Sequence, residues 1–74
     1  ILGGNKMSGS MNFLLVALIK KLEGDIEVAK ANILVYQRNP VGIGEHSDIV
    51  ESIEKEVEKI ADAEDKIEAI KRHF

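Results

Sequence analysis

Cysteine is absent from this sequence of 74 residues, which excludes disulfide bonds and thiolate metal sites. The two histidines, His46 and His73, cannot complete a structural zinc site without help from carboxylates. A chain of this length buries only about 60 % of the surface that its unfolded form exposes, so folding alone is marginal. Self-association is the remaining way for the chain to gain stability.

The sequence also has no excess of basic residues, few aromatic residues and no long apolar run. The 10 basic residues are outnumbered by 13 acidic ones and only three residues are aromatic, which argues against nucleic-acid binding. The longest apolar run, Phe13–Ile19, has seven residues, whereas a membrane span needs about 20. It ends in Lys20 and Lys21 with no small-residue cleavage site behind it, which argues against a signal peptide. We therefore expect a cytoplasmic protein.

Heptad spacing is what the sequence does contain. In its first half, apolar residues recur at alternating spacings of four and three, which predicts a helix with one continuous apolar seam; they are Leu15, Ile19, Leu22, Ile26, Ala29, Ile33 and Tyr36. In its second half, the mean spacing of the apolar residues is close to the helical period of about 3.6; they are Ile49, Ile53, Val57, Ile60, Ala63, Ile67 and Ile70.

The boundaries of these segments follow from residues that end or begin helices. Asn39 and Pro40 disfavour continuation of the first helix, and Gly42 and Gly44 suit a connector. The predicted organisation is a flexible leader over residues 1–10, with Met11 as the native start, followed by a helical hairpin over residues 11–74. Within the hairpin we expect helices over residues 12–38 and 48–73 and a connector over residues 39–47.

Two helices of similar length that are joined by a short connector pack antiparallel. Facing residues then have numbers with a nearly constant sum, and seven pairs sum to 85 or 86: Leu15 with Ile70, Ile19 with Ile67, Leu22 with Ala63, Ile26 with Ile60, Ala29 with Val57, Ile33 with Ile53, and Tyr36 with Ile49. The sequence therefore predicts an all-α fold, an antiparallel two-helix hairpin that resembles a coiled coil.

Helix 1 carries more apolar surface than one seam can bury. Exposed apolar surface is unfavourable by about 25 cal/mol per Å². We therefore expect homo-oligomerisation into a helical bundle, a dimeric four-helix bundle being the simplest closed form, with another helical protein as the alternative partner. The predicted interface residues are Leu14, Val16, Leu18, Val28, Leu34 and Val35.

Two groups of polar residues are candidates for chemistry. Carboxylates at helical spacing can hold Mg²⁺ in a bundle cavity, but Glu51, Glu58 and Asp62 lie roughly 140–180° around the helix from Ile53, which predicts a solvated face. The cluster of Glu45, His46 and Asp48 either binds a divalent cation or a partner, or caps the second helix. We predict no catalytic residue, no cofactor and no metal.

The segment from Phe13 to Lys21 offers an alternative to burial in an oligomer. Its apolar residues followed by two lysines could lie on a membrane surface. Burial in an oligomer is the preferred interpretation because it also accounts for Val28, Leu34 and Val35.

The connector and the start of helix 2 carry a resemblance to a known group. The run Asn39-Pro-Val-Gly-Ile-Gly-Glu-His-Ser-Asp-Ile-Val-Glu51, followed by an acidic helix that ends in Phe74, resembles small uncharacterised proteins of tailed viruses that infect marine cyanobacteria. The resemblance extends from Met11 to Phe74, and Gly-Ile-Gly-Glu-His is its distinctive part. It implies a viral protein in the host cytoplasm and no catalytic activity.

The resulting functional hypothesis is a non-enzymatic, self-associating hairpin with a structural, adaptor or assembly role. A peripheral membrane-associated hairpin and a small metal-dependent hydrolase at a bundle interface are the alternatives.

Overall fold

The computed structural model describes residues 13–38 and 46–74, without the side chains of His46 and Ser47. These residues form two α-helices, α1 (Phe13–Arg38) and α2 (His46–His73), with no strand in either range. The two helices pack against each other along their length. The all-α helical hairpin predicted from the sequence is thereby confirmed.

The start of α2 differs slightly from the expected one. Helix α2 begins at His46 rather than at residue 48, and residue 12, where the sequence predicts the start of the first helix, lies outside the described residues. At the other end of α2, the Phe74 backbone N–H donates to the Ile70 carbonyl oxygen at 2.9 Å and closes the last turn. The predicted leader over residues 1–10, and residues 39–45 of the connector predicted over residues 39–47, lie outside the described residues.

The core is a single layer of side chains between the two helices. Ile19 and Leu22 of α1 are buried against Ala63 and Ile70 of α2. Leu15, Ile26 and Ile67 are half-buried and pack against the same cluster. Residues from the start of α1 thus meet residues from the end of α2, so the helices run antiparallel. No large side chain in the described ranges is fully excluded from water.

The prediction for one residue of the α2 seam, Val57, is wrong. Val57 was expected to face Ala29, but it is 49 % exposed, whereas its neighbour Glu56 is only 6 % exposed. With Glu56 in place of Val57, the α2 seam has the same alternating spacings of four and three as the α1 seam, and the sums of facing residues alternate regularly between 85 and 86. Ala29 is almost fully buried, and its small side chain leaves room for the glutamate opposite.

Candidate functional site

The surface of α1 that faces away from α2 is the first candidate for function. We call it the outer face of α1; it is formed by Leu14, Ala17, Lys21, Gly24, Val28, Ala31, Val35 and Arg38, at alternating spacings of three and four. It is turned by roughly 140° around the helix from the seam, at 100° per residue. Leu14, Val28 and Val35 are 63 %, 61 % and 58 % exposed. A second heptad pattern therefore follows the exposed surface of α1, and two of its residues, Lys21 and Val28, also line a groove between α1 and α2.

The six residues predicted to form an oligomer interface differ in their place on α1. Leu14, Val28 and Val35 belong to the outer face, while Val16, Leu18 and Leu34 flank it and are less exposed, between 40 % and 45 %. All six are accessible in the hairpin. Their burial by a second molecule stays a prediction.

A shallow apolar groove marks one end of the outer face. It has a volume of about 340 Å³ and is lined by Ala31, Leu34, Val35 and Arg38, all on α1. Ala31 is the one small residue among those that line it. Such a groove between large side chains can accept an apolar side chain from a packed helix.

The exposed surface of α2 is different in character. Its exposed large apolar residues in the described range are Val50 and Val57, with Phe74 just after the helix. Charged residues occupy most of the remaining surface, with an ion pair of 2.9 Å between Lys66 and Asp62. The apolar surface of the hairpin is therefore concentrated on α1.

A buried polar cluster is the second candidate. The Asn32 side-chain amide of α1 donates to Glu56 Oε1 of α2 at 3.1 Å, and the Lys59 ammonium donates to Glu56 Oε2, also at 3.1 Å. No buried side-chain nitrogen or oxygen in the described ranges lacks a hydrogen-bond partner. Both carboxylate oxygens of Glu56 are thus satisfied, as a buried charge requires.

This cluster fixes how the two helices are aligned. The hydrogen bond from Asn32 forms only when Glu56 reaches it across the seam, and a shift of one helix by a turn would leave the carboxylate among aliphatic side chains. A polar residue at one seam position is a known means of specifying register in coiled coils. The cluster therefore serves alignment of the hairpin, and it offers no open coordination position for a ligand.

The hydrogen bond from Asn32, followed by the one from Lys59, lowers the pKa of Glu56 from its ordinary value of 4.5. Because the folded-state pKa lies below the unfolded one, the carboxylate stabilises the hairpin at neutral pH, and this contribution is lost as the pH falls below about 4.5 and through the folded-state pKa. We expect Glu56→Gln to be less stable than the unmodified chain at neutral pH. The difference should shrink as the pH is lowered, as urea unfolding at several pH values would measure; a difference that grows on acidification would contradict this role.

A second groove lies between the helices beside this cluster. It has a volume of about 320 Å³ and contains three lysines and three carboxylates among its lining residues. Lys21 contacts Asp25 at 2.7 Å, and the hydrogen bond and negative charge of Asp62 raise the pKa of Lys66. Because the opposite charges in the groove are equal in number and paired, it has no excess charge to attract an ionic ligand.

The carboxylates considered for a metal site do not converge. Glu51, Glu54, Glu58 and Asp62 are all exposed on α2, and the described residues contain no group of three histidines or carboxylates positioned to hold a metal ion. Asp48 is exposed. Glu45 and the side chain of His46 lie outside the described residues, so that predicted cluster stays a prediction.

Neither described helix is both long enough and apolar enough to cross a bilayer.

Sequence reasoning missed the cluster of Asn32, Glu56 and Lys59. A signal was present, because continuing the spacing of four and three along the second helix from Ile49 reaches Glu56 and passes over Val57. The choice of Val57 gave hydrophobicity priority over spacing.

No protein family, curated protein or solved structure compared with this chain matches it. The viral resemblance of the connector therefore stays a prediction.

Proposed function

We propose that this protein is a non-enzymatic, self-associating helical hairpin with a structural, adaptor or assembly role, in which α1 is the inner helix of a homo-oligomer. The observation that carries the proposal is the outer face of α1. Large apolar side chains on it are more than half exposed from one end of the helix to the other. Large apolar side chains left exposed along one helix face indicate a candidate interaction site.

The small core of the hairpin supports the same proposal. Only six apolar residues in the described ranges are buried, and two of those are alanines. Burying an exposed valine or leucine contributes on the order of 1.5–3 kcal/mol, which is a large fraction of what a core of this size provides. Covering the outer face of α1 would therefore stabilise the hairpin as well as join two copies.

A second copy explains the outer face better than a membrane surface does. Phe13 is 78 % exposed and lies near Lys20 and Lys21, which suits a membrane interface. However, Val28 and Val35 continue the apolar face for two heptads beyond the lysines. A cytoplasmic location, and the host cytoplasm on the viral resemblance, belong to this proposal.

Two valines with similar exposure provide a matched test. Val28 on α1 is 61 % exposed and Val50 on α2 is 65 % exposed. We expect Val28→Glu to reduce the solution mass to that of a single 8.2 kDa chain, because it would place an unpaired charge in the interface. Val50→Glu is expected to keep the mass of the unmodified protein, as measured by size-exclusion chromatography with light scattering.

A folded monomer for the unmodified chain at micromolar concentration would refute the proposed function. Flotation of that monomer with lipid vesicles would then favour the membrane alternative.

A further inference from the structure

We propose that the occupant of the outer face is α1 of a second copy, and that the two α1 helices pack antiparallel about a two-fold axis at Gly24. The inference rests on the proposed function and makes it specific, because it names the helix, the direction and the register.

The order of side-chain sizes along the outer face supports a close helix pair. Small residues recur every seven positions at Ala17, Gly24 and Ala31, and the larger residues Lys21 and Val28 lie between them. A Cβ placed on Gly24 would meet nothing within 4 Å, so nothing in the hairpin itself occupies that space. Large apolar residues separated by small ones allow the backbones of two helices to approach each other.

An antiparallel pair about Gly24 matches like sizes across the interface. Facing residues then sum to 48 or 49, which sets Gly24 against Gly24 and Ala17 against Ala31 of the second copy. In the same register, Leu14 faces Val35 of the second copy. The apolar groove lined by Ala31, Leu34, Val35 and Arg38 lies where Leu14 and Phe13 of the second copy would dock.

Charges beside the outer face select this register. One flank of the outer face carries a residue at every seventh position, namely Phe13, Lys20, Glu27 and Leu34. In the proposed register Lys20 faces Glu27 of the second copy, once on each side of the two-fold axis. A shift of one heptad in one direction would set Lys20 against Lys20, and a shift in the other direction would set Glu27 against Glu27. Like charges that face each other are unfavourable, so the charges on this flank favour the register about Gly24.

The lysine within the outer face favours the antiparallel direction. Lys21 faces Val28 of the second copy in the antiparallel pair, where its aliphatic stem can pack while its ammonium reaches water. An in-register parallel pair would instead set Lys21 against Lys21 and Arg38 against Arg38. Asp25 approaches Asp25 of the second copy near the axis, but each is paired with its own Lys21 at 2.7 Å.

Engineered thiols can determine the direction, since the native chain has no cysteine. Ala17→Cys and Ala31→Cys are made separately in the full chain, one of them with a size tag, and both sites are exposed in the hairpin. The reduced variants are mixed, equilibrated and oxidised. Disulfide formation requires the two Cβ atoms to lie within about 3.5–4.5 Å. The antiparallel register predicts the mixed disulfide in roughly ten-fold excess over either homodimer, because only Ala17 and Ala31 face each other in the two copies.

Controls separate failure of the inference from failure of the proposed function. Circular dichroism confirms that each variant folds, and light scattering of the reduced proteins reports self-association independently of the thiols. Ala61→Cys, at an exposed position on α2, should form no preferred disulfide. A dimer that yields mainly homodimeric disulfides would overturn the antiparallel register and leave self-association intact. A folded monomer with no preferred disulfide would overturn both.

Discussion

Leu22→Ala is expected to abolish cooperative unfolding of the hairpin. Leu22 is 4 % exposed and belongs to the buried cluster with Ile19, Ala63 and Ile70. Truncation of a buried leucine to alanine costs about 2–5 kcal/mol, whereas a single core in a chain of this size supplies roughly 3–5 kcal/mol. The variant should therefore lose most of its helical signal, measured by far-UV circular dichroism during urea titration.

Val50→Ala is the control for this substitution. Val50 is exposed on α2 and lies outside the buried cluster, so its truncation should change the free energy of unfolding by less than about 0.5 kcal/mol. A Leu22→Ala protein that unfolds as cooperatively as Val50→Ala would show that the cluster between the helices does not hold the fold together.

Gly24→Leu is expected to have opposite effects on the helix and on the assembly. In the hairpin a side chain at this position meets no neighbour, and replacement of glycine inside a helix favours the helix by about 1 kcal/mol. At the proposed two-fold axis, however, two leucines would separate the paired α1 helices. Overpacking costs about 1–3 kcal/mol, which corresponds to roughly a 5- to 150-fold rise in the dissociation constant. Sedimentation velocity measures that constant, and circular dichroism measures the helix.

Ala61→Leu places the same side chain at an exposed position on α2 and should leave the dissociation constant unchanged. If Gly24→Leu associates as tightly as Ala61→Leu, Gly24 does not lie at a close contact between copies. Unchanged association would count against the interface at Gly24, even if the protein still forms oligomers through another surface.

The helical hairpin could be predicted from the sequence because the spacing of the apolar residues determines which side of each helix is buried. The α1 seam from Leu15 to Tyr36 follows an uninterrupted heptad pattern, and its pairing with α2 requires only the antiparallel geometry of a short hairpin. The start of α2 was less predictable, since capping and fraying at a terminus shift it by one or two residues without changing the core.

The buried glutamate could not be predicted by hydrophobicity, because its burial depends on three other residues. Ala29 supplies the space, and Asn32 and Lys59 supply the hydrogen bonds to the carboxylate. Next to it, Val57 is the more hydrophobic candidate, and a choice based on residue type alone selects it. Regular spacing was the better guide because a side chain's direction on a helix is set by its position rather than by its polarity.

The outer face of α1 could be predicted only in part from the hydrophobicity of its residues. Excess hydrophobicity identified Leu14, Val28 and Val35 as residues that the hairpin seam does not bury. It did not identify the small residues between them, because alanine and glycine contribute little to a count of apolar surface. The second heptad pattern became evident only when the hairpin fixed which side of α1 faces α2.

The central claim is that α1 is covered on both sides, by α2 and by a second copy, and that the hairpin depends on the second contact. Sedimentation equilibrium of the unmodified chain over a dilution series, with far-UV circular dichroism on the same samples, tests it most directly. We predict a mass twice the 8.2 kDa of one chain at high concentration, and a helical signal that declines as the mass falls on dilution. A mass of 8.2 kDa at every concentration, with full helical signal, would contradict it.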